Sequence, residues 1–356
     1  MKRSIIIVLV VSLSSCNTSE KEQISIVFSR NDFPKTTVLA GEELQISSDK
    51  YVQSFNVIND TIVLARYKKA YPYYFGLYNL NSGSKFVEFA ERGNGPGEFL
   101  GGKYLSNAYN IKQPEIIHII DVITKKVSVF NLDSLLFWPK SHVYLPVQFE
   151  LPDGVFNFCK LDSSRYVCYN SYYLDDKVFS NNNDMIFLVN THGKPRQIRE
   201  WKYFTLNVSS GYILISKKEN RIIVTDRNKD RIEIFDTLLN HIRTIRGPDI
   251  FEPKYKLRFS NHISFEPGTV EGGFYPCCST EDYIYHIYRG RYDFIPNSTK
   301  RQPVEIFKLD WEGNLVENFI LDRFIYTISI TGDGKIFYGT SYNSFGDPIL
   351  VRFNIE

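Results

Sequence analysis

Six histidines, five cysteines and a few polar residues at the ends of apolar runs are the groups with which this chain could do chemistry. The histidines, at 118, 142, 192, 241, 262 and 286, are scattered. No two stand at the helical spacing that brings imidazoles to one metal ion, and no Gly-x-Ser-x-Gly turn presents an activated serine. His118 and His286 fall inside apolar runs, where a hydrogen-bonded structural histidine is expected. Arg66, Asp121, Asn170, Asp226 and Arg289 close apolar runs, and strand ends are where a rigid scaffold exposes side chains to a ligand. They are the candidate binding residues. Asp121 and Asp226 have a structural alternative, bracing the turn that follows each. No catalytic residue and no resident metal or cofactor is assigned.

Four cysteines follow Cys16, namely Cys159, Cys168, Cys277 and Cys278. Neither pair has zinc-ligand spacing with a nearby histidine. If 156–161 and 166–170 form a hairpin about Asp162-Ser163-Ser164-Arg165, Cys159 and Cys168 face each other, and a cross-strand disulfide or two reduced core thiols are both open. Cys277 and Cys278 are adjacent and are read as free or buried.

Arg92-Gly93-Asn94-Gly95-Pro96-Gly97-Glu98-Phe99 is the sharpest local motif. A phosphate-cradling loop would need Gly-Lys-Ser/Thr and a helix directly after it, and neither follows. The structural reading is a linker: the glycines reach conformations closed to other residues, Pro96 stiffens one step, and Phe99 plugs a groove.

The elements that must position these residues are β-strands. Aromatic residues make up 15% of the chain and methionines number only two, a composition suited to pleated, half-buried surfaces. An apolar residue followed by Asn or Asp and a turn recurs six times, at Asn79, Asn131, Asn190, Asp236, Asp310 and Asn354. Successive copies lie 52, 59, 46, 74 and 44 residues apart, near or above the period of propeller blades. Short Asn and Asp side chains accept bonds from amides two residues on, so each copy marks a hairpin between the outer strands of a blade. Ile116 to Asp121, Arg221 to Asp226 and Lys335 to Thr340 are near-continuous apolar or β-branched runs, as for strands buried on both faces. The fold expected is an all-β, six-bladed β-propeller with four-stranded antiparallel blades, a single ring over 24–356 and monomeric. An open β-sandwich or two smaller β-domains are the alternative. The last blade has three strands of its own, so an N-terminal strand from Thr36–Ala40 or Leu44–Ser48 is expected to close it.

The N-terminus reads as a targeting segment. Lys2 and Arg3 precede an apolar stretch too short to span a bilayer, followed by Leu13-Ser14-Ser15-Cys16. These four residues resemble the bacterial lipobox. The resemblance implies a signal peptide over 1–15, a diacylated Cys16 and a polar tether over 16–23, so that the mature chain is lipid-anchored in the bacterial envelope. The outer membrane is the expected site, with its periplasmic and surface faces both open. An ordinary secretory signal with a chance cysteine is the alternative. Without Lys2 and Arg3 the chain holds 40 basic and 40 acidic side chains, which lacks the electrostatic footprint of nucleic-acid binding.

The Gly-x-Gly-Pro-Gly-Glu-Phe element (Gly93, Gly95, Pro96, Gly97, Glu98 and Phe99) resembles the blade linker of bacterial six-bladed propeller lipoproteins of the TolB-like and NHL-like kinds. The segment from Ile222 to Phe235 is NHL-like as well, and Ile117 to Phe130 is a looser copy. The resemblance implies a binding or scaffold module for a glycan, peptide or protein. Similar rings also include metal-dependent hydrolases and lyases acting on lactones or sugars, so a calcium-dependent enzyme using Asp121, Asn170 and Asp226 is the second reading.

Overall fold

A computed structural model describes residues 25–68, 72–95, 97–104, 116–121, 123–124, 126–137, 147–150, 155–170, 186–190, 211–216, 218–226, 230–251, 254–257, 263–265, 272–290 and 303–355. Six of the β-sheets it describes follow in chain order as the blades of a propeller, and a seventh is a two-stranded hairpin in one connection. Blade 1 comprises Val52–Asn59, Ile62–Tyr67, Tyr73–Asn79 and Lys85–Glu91, and blade 2 comprises Gly102–Tyr104, Ile116–Asp121, Lys126–Asn131 and Val147–Glu150. Three strands of blade 3 are described, Val155–Lys160, Arg165–Asn170 and Ile186–Asn190. Blade 4 runs through Gly211–Ser216, Arg221–Asp226, Arg231–Asp236 and His241–Arg246. Blade 5 follows with Gly272–Ser279, Tyr283–Gly290, Glu305–Asp310 and Leu315–Leu321. Blade 6 holds Ser329–Ile330, Ile336–Tyr342 and Pro348–Asn354. Within each blade the consecutive strands pair antiparallel, from the axis outward.

Three of the six recurring residues, Asn79, Asp236 and Asp310, act as the sequence suggests. Asn79 Oδ1 accepts from the amides of Asn81 (2.9 Å) and Ser82 (2.8 Å). Asp236 accepts from Leu238 and Asn240, both at 2.8 Å, and Asp310 repeats the arrangement with Glu312 (2.9 Å) and Asn314 (2.8 Å). In each case a short acceptor satisfies amides that the turn takes out of the ladder. In blade 2 the turn is replaced by a short helix, Leu132–Phe137, whose Ser134 amide bonds to Asn131 Oδ1 (2.9 Å).

Six apolar clusters fill the spaces between successive blades. Phe75, Phe89 and Phe99 meet Ile117 and Phe130 between blades 1 and 2. Ile120 and Val127 meet Phe158 and Cys168 between blades 2 and 3, and Val167 and Leu188 meet Ile222 and Phe235 between blades 3 and 4. Ile223 and Ile234 pack on Tyr288 and Phe307, and Tyr285 and Phe319 on Phe337 and Val351. The last cluster joins Tyr338 and Leu350 of blade 6 to Phe55 and Tyr78 of blade 1, which closes the ring. At the same seam the Phe55 amide donates to Thr340 Oγ1 (2.8 Å), which donates back to the Phe55 carbonyl (2.8 Å).

The N-terminal segment closes the ring in a different register from the one expected. Gly41–Leu44 is the fourth strand of blade 6, antiparallel to Leu350–Phe353. Thr36–Leu39, expected as one way to fill that place, instead lies parallel to Asn318–Leu321 as a fifth strand on blade 5. Ser25–Val27 is likewise a parallel fifth strand on blade 4. The segment is thus a belt around the outer rim of three blades. Between its strands Phe28 and Phe33 pack on Phe307, and Arg30 is paired with Asp249 (2.9 Å) and Glu305 (2.8 Å).

The belt explains one glycine. Gly247 takes φ +132°, and a Cβ there would run into the Phe28 carbonyl. Gly247→Ala is therefore expected to lower stability by roughly 1–3 kcal/mol through backbone strain and displacement of the belt. Denaturant unfolding checks this; an unchanged midpoint would contradict the belt's seating.

Candidate functional site

The two faces of the ring differ in their connections. All second strands run the same way, so their ends, and the links from each outer strand to the next blade, gather on one face, here the loop face. Long connections open on it, including 247–271, which carries a hairpin of Tyr255–Leu257 and Ile263–Phe265, and 291–304. On the opposite face, blades 1, 4, 5 and 6 turn within a few residues, at 60–61, 217–220, 280–282 and 331–335 between first and second strands, while blade 2 has longer connections there, 105–115 and 132–146. A long loop can shape a ligand surface where a tight turn cannot.

All five candidate binding residues end second strands on the loop face, but they do not form one constellation. Asp121 is buried and committed to backbone. It accepts from the amides of Leu100 (2.7 Å), Ile123 (2.9 Å) and Thr124 (3.2 Å), stapling the Gly-rich link to the turn of blade 2. Its carboxylate is a brace and not an open metal ligand. Asp226 holds the matching position in blade 4, buried between Gly211 and Arg231 in the ladder. Arg289 stacks over Phe324 (4.5 Å) and Tyr326 (5.1 Å) and donates to the Ile325 carbonyl (3.3 Å), tying blade 5 to the link that follows it. Arg66 is half-buried, its pKa lowered by desolvation, and among the described residues no carboxylate pairs with it. Asn170 ends its strand opposite Val155. Among the described residues no group of three His, Cys, Asp or Glu side chains is placed to hold a metal ion.

The Gly-rich link is held by its own glutamate. Glu98 Oε2 accepts from the Gly95 amide (2.7 Å), and its carboxylate lies where a Cβ on Gly93 would stand. Gly93 and Gly95 are thus small to admit a carboxylate, and Gly97 takes φ +80°. Phe99 is buried and stacks on Phe130 with centroids 6.0 Å apart, plugging the groove between blades 1 and 2. Pro96 lies outside the described residues, as do Cys16, Tyr71, Tyr172, Tyr173, His142, His192 and His262. Tyr73 and Tyr74 belong to the third strand of blade 1, where Tyr74 Oη donates to the Leu100 carbonyl (2.7 Å).

Two sequence expectations need correction. From its turn onward, where Lys160 pairs with Tyr166, the blade 3 hairpin is one residue out of the expected register, so Cys168 faces Phe158 and Cys159 faces Val167. The two thiols therefore point to opposite sides of the sheet, Cys168 toward blade 2 and Cys159 toward blade 4, and no disulfide joins them. His118 is buried with neither ring nitrogen hydrogen-bonded among the described residues; it packs edge-on against Phe158 and Tyr166.

A cleft that the sequence did not single out opens on the loop face where blades 5, 6 and 1 meet. Its volume is about 680 Å³, and Tyr51, Lys68, Arg323, Tyr342, Asn343 and Ser344 line it. Lys68 lies over the Tyr51 ring (5.0 Å), and Tyr51 is about half exposed. Arg323 forms one wall, fixed by Glu43 (3.0 Å), Asp322 (3.1 Å) and the Gly41 carbonyl (3.1 Å), so the belt's last strand helps build it. Asn343 Oδ1 accepts from the amides of Phe345 and Asp347, both at 2.9 Å, which holds the rim loop and its exposed Phe345 in place. The signal for this loop was available: Asn343 repeats the Asn and Asp turn chemistry one connection earlier in the blade. A smaller cleft of about 410 Å³ lies beside the Gly-rich link and Asp121.

Burial pushes the His118 pKa down to about 4, with Lys160 adding to the shift. The unfolded chain takes up that proton near pH 6.5 and the folded chain only near 4, so stability falls as pH drops through this window, by up to about 1.4 kcal/mol per pH unit. His118→Leu is expected to flatten the acid side of the stability profile by about one proton between pH 6.5 and 4. Denaturation at stepped pH measures it; an unaltered slope would contradict a buried neutral imidazole.

Comparison with known proteins agrees with the ring. Similar solved structures include an exported protein of Bacteroides fragilis, 12% identical with TM-score 0.52 over 94% of this chain and 99% of that one. A DUF4221 family member of Bacteroides vulgatus is 10% identical, with TM-score 0.50 over 89% of this chain and 96% of that one. A protein of Bacteroides thetaiotaomicron is 12% identical, with TM-score 0.51 over 88% and 72%. At such identities the likeness concerns the fold alone. No curated protein matches the chain. The TolB-like 6-blade propeller family matches residues 31–333, and with the six closed blades this places the chain in that family.

Proposed function

We propose that the protein is an envelope-anchored binding or scaffold module that presents the loop face of its ring to a glycan, peptide or protein. The observation that carries this reading is the cleft between blades 5, 6 and 1, whose walls combine an exposed aromatic ring, a cation and amide groups on braced loops. Aromatic faces with adjacent polar groups suit sugar rings and peptide planes, and rigid walls limit the entropy lost on binding. Asp121, one of the two carboxylates of the metal-dependent reading, is spent on three backbone amides, which weighs against the hydrolase or lyase reading.

The lipobox-like Leu13-Ser14-Ser15-Cys16 supports a lipid anchor at Cys16. Two or more acyl chains, at about 0.8 kcal/mol per buried methylene, would hold the protein stably at the outer membrane. The similar protein of Bacteroides fragilis is described as exported, in keeping with such a destination. No helix among the described residues is long and apolar enough to cross a membrane.

A thermal-shift screen of the mature chain against glycans and peptides, with and without calcium, tests the reading. A ligand that raises the melting temperature is expected to lose at least tenfold in affinity with Lys68→Ala or Tyr51→Ala while the unliganded melting temperature stays within a few degrees. Binding untouched by both substitutions would move the site elsewhere. Turnover that requires calcium and is lost in Asp226→Ala would favour the enzyme.

A further inference from the structure

The cleft between blades 5, 6 and 1 has two cations in its lining, and their situations differ. Arg323 is spent within the wall: Glu43 (3.0 Å), Asp322 (3.1 Å) and the Gly41 carbonyl (3.1 Å) accept from its guanidinium, and the same contact neutralises Asp322. Lys68 is exposed and has no carboxylate beside it among the described residues; its ammonium rests over the Tyr51 ring at 5.0 Å. An aromatic face attracts such a cation without neutralising it. Lys68 thus keeps its charge in the wall of a cleft of about 680 Å³.

That charge has neighbours of its own sign. Arg66, two residues earlier at the same end of the second strand of blade 1, is half-buried and meets no carboxylate among the described residues. A partly desolvated guanidinium without a counter-charge is costly, and a bound anion relieves it. Arg92, exposed at the start of the Gly-rich link, is a third cation, and it and Arg66 both lie near Tyr74. Asp121 is also near that ring, but its carboxylate is taken by three amides. The loop-face edge of blade 1 therefore carries a run of positive charge in a chain whose net charge is only +2.

The uncharged lining narrows the class of anion. Gln53 and Ser344 are exposed, with side chains that have no hydrogen-bond partner among the described residues, so an amide and a hydroxyl are open to a ligand. Val52 and Phe324 are buried and leave little for an apolar peptide side chain to enter. A sugar offers C–H faces to an aromatic ring and hydroxyls to amide and hydroxyl groups, and an acidic sugar adds a carboxylate for an ammonium. We propose that the cleft binds an acidic glycan: a carboxylate-bearing sugar packs against Tyr51 and pairs with Lys68, and the adjoining units run along Arg66 and Arg92. The proposal rests on the reading of the cleft as the binding surface and adds the charge class of its ligand.

Titration calorimetry of the mature chain tests it, with oligomers of galacturonate, mannuronate and glucuronate, each beside its methyl ester, and with polyglutamate of matched charge. At least one acid form is expected to bind at least tenfold more tightly than its ester and to weaken as salt rises. Lys68→Gln is expected to weaken that binding at least tenfold and Arg66→Gln at least threefold, with unliganded melting temperatures within a few degrees of the parent. Should Arg66→Gln fail to fold, Lys68→Gln, at an exposed position, decides alone. Acid and ester bound alike, or polyglutamate bound more tightly than every sugar acid, overturns the acidic-glycan assignment; if Tyr51→Ala abolishes that binding, the cleft stands as the binding surface. Sugar-acid binding that Lys68→Gln leaves intact overturns both the assignment and the cleft. Absence of binding to every sugar acid overturns the assignment and leaves the cleft to be judged by the wider ligand screen.

Discussion

Each blade of this ring is apolar on both broad faces, and only a neighbour on each side can keep those faces from water. Six clusters between six blades satisfy that requirement, and the cluster joining Tyr338 and Leu350 to Phe55 and Tyr78 is the one that no consecutive stretch of chain enforces. At about 1.5–3 kcal/mol for each large side chain fully buried, opening this seam would cost several such contributions at once. The belt is the covalent route by which the chain holds it shut. Gly41–Leu44 supplies the outer strand of blade 6, and the residues that follow lead directly into blade 1.

The same closure builds the candidate site. Arg323, on the link between blades 5 and 6, is fixed by Glu43 and by the Gly41 carbonyl, both from the belt. Tyr51 lies on the link from the belt to blade 1, and Asn343 braces the connection within blade 6. The cleft therefore sits at the place where the two ends of the chain meet, and its shape depends on the register that joins them. Rigid strands set the positions and loops supply the chemistry, so the ring can change ligands without changing its core.

Much of this was legible in the sequence because the signals are local. Asn79, Asp236 and Asp310 need only a turn two residues long to show their purpose, and the run Arg221 to Asp226 shows a doubly buried strand by composition alone. Phe99 could be assigned to a groove because a single large ring following several glycines has little else to do. What escaped depends on pairing over long distances. The register of the blade 3 hairpin, set at the turn where Lys160 pairs with Tyr166, leaves no compositional trace, yet it turns Cys159 and Cys168 to opposite sides of the sheet. The parallel seating of Thr36–Leu39 pairs residues more than 280 positions apart, which no periodicity reveals. Asp121 was visible as a candidate, but its commitment to three amides depends on how the link at Leu100 folds back. The role of Glu98 was hidden for a similar reason: the small size of Gly93 and Gly95 matters only once the carboxylate is seen to fold between them.

The central claim, that the N-terminal belt is an integral part of a closed ring, can be read directly by native-state hydrogen exchange. Amides of 36–44 that donate to blades 5 and 6 should exchange only with the global unfolding of the ring, at the same protection as Phe337 and Val351 in the blade they close. Exchange of the belt within seconds while those core amides stay protected would show a ring that stands without it, and would contradict the account.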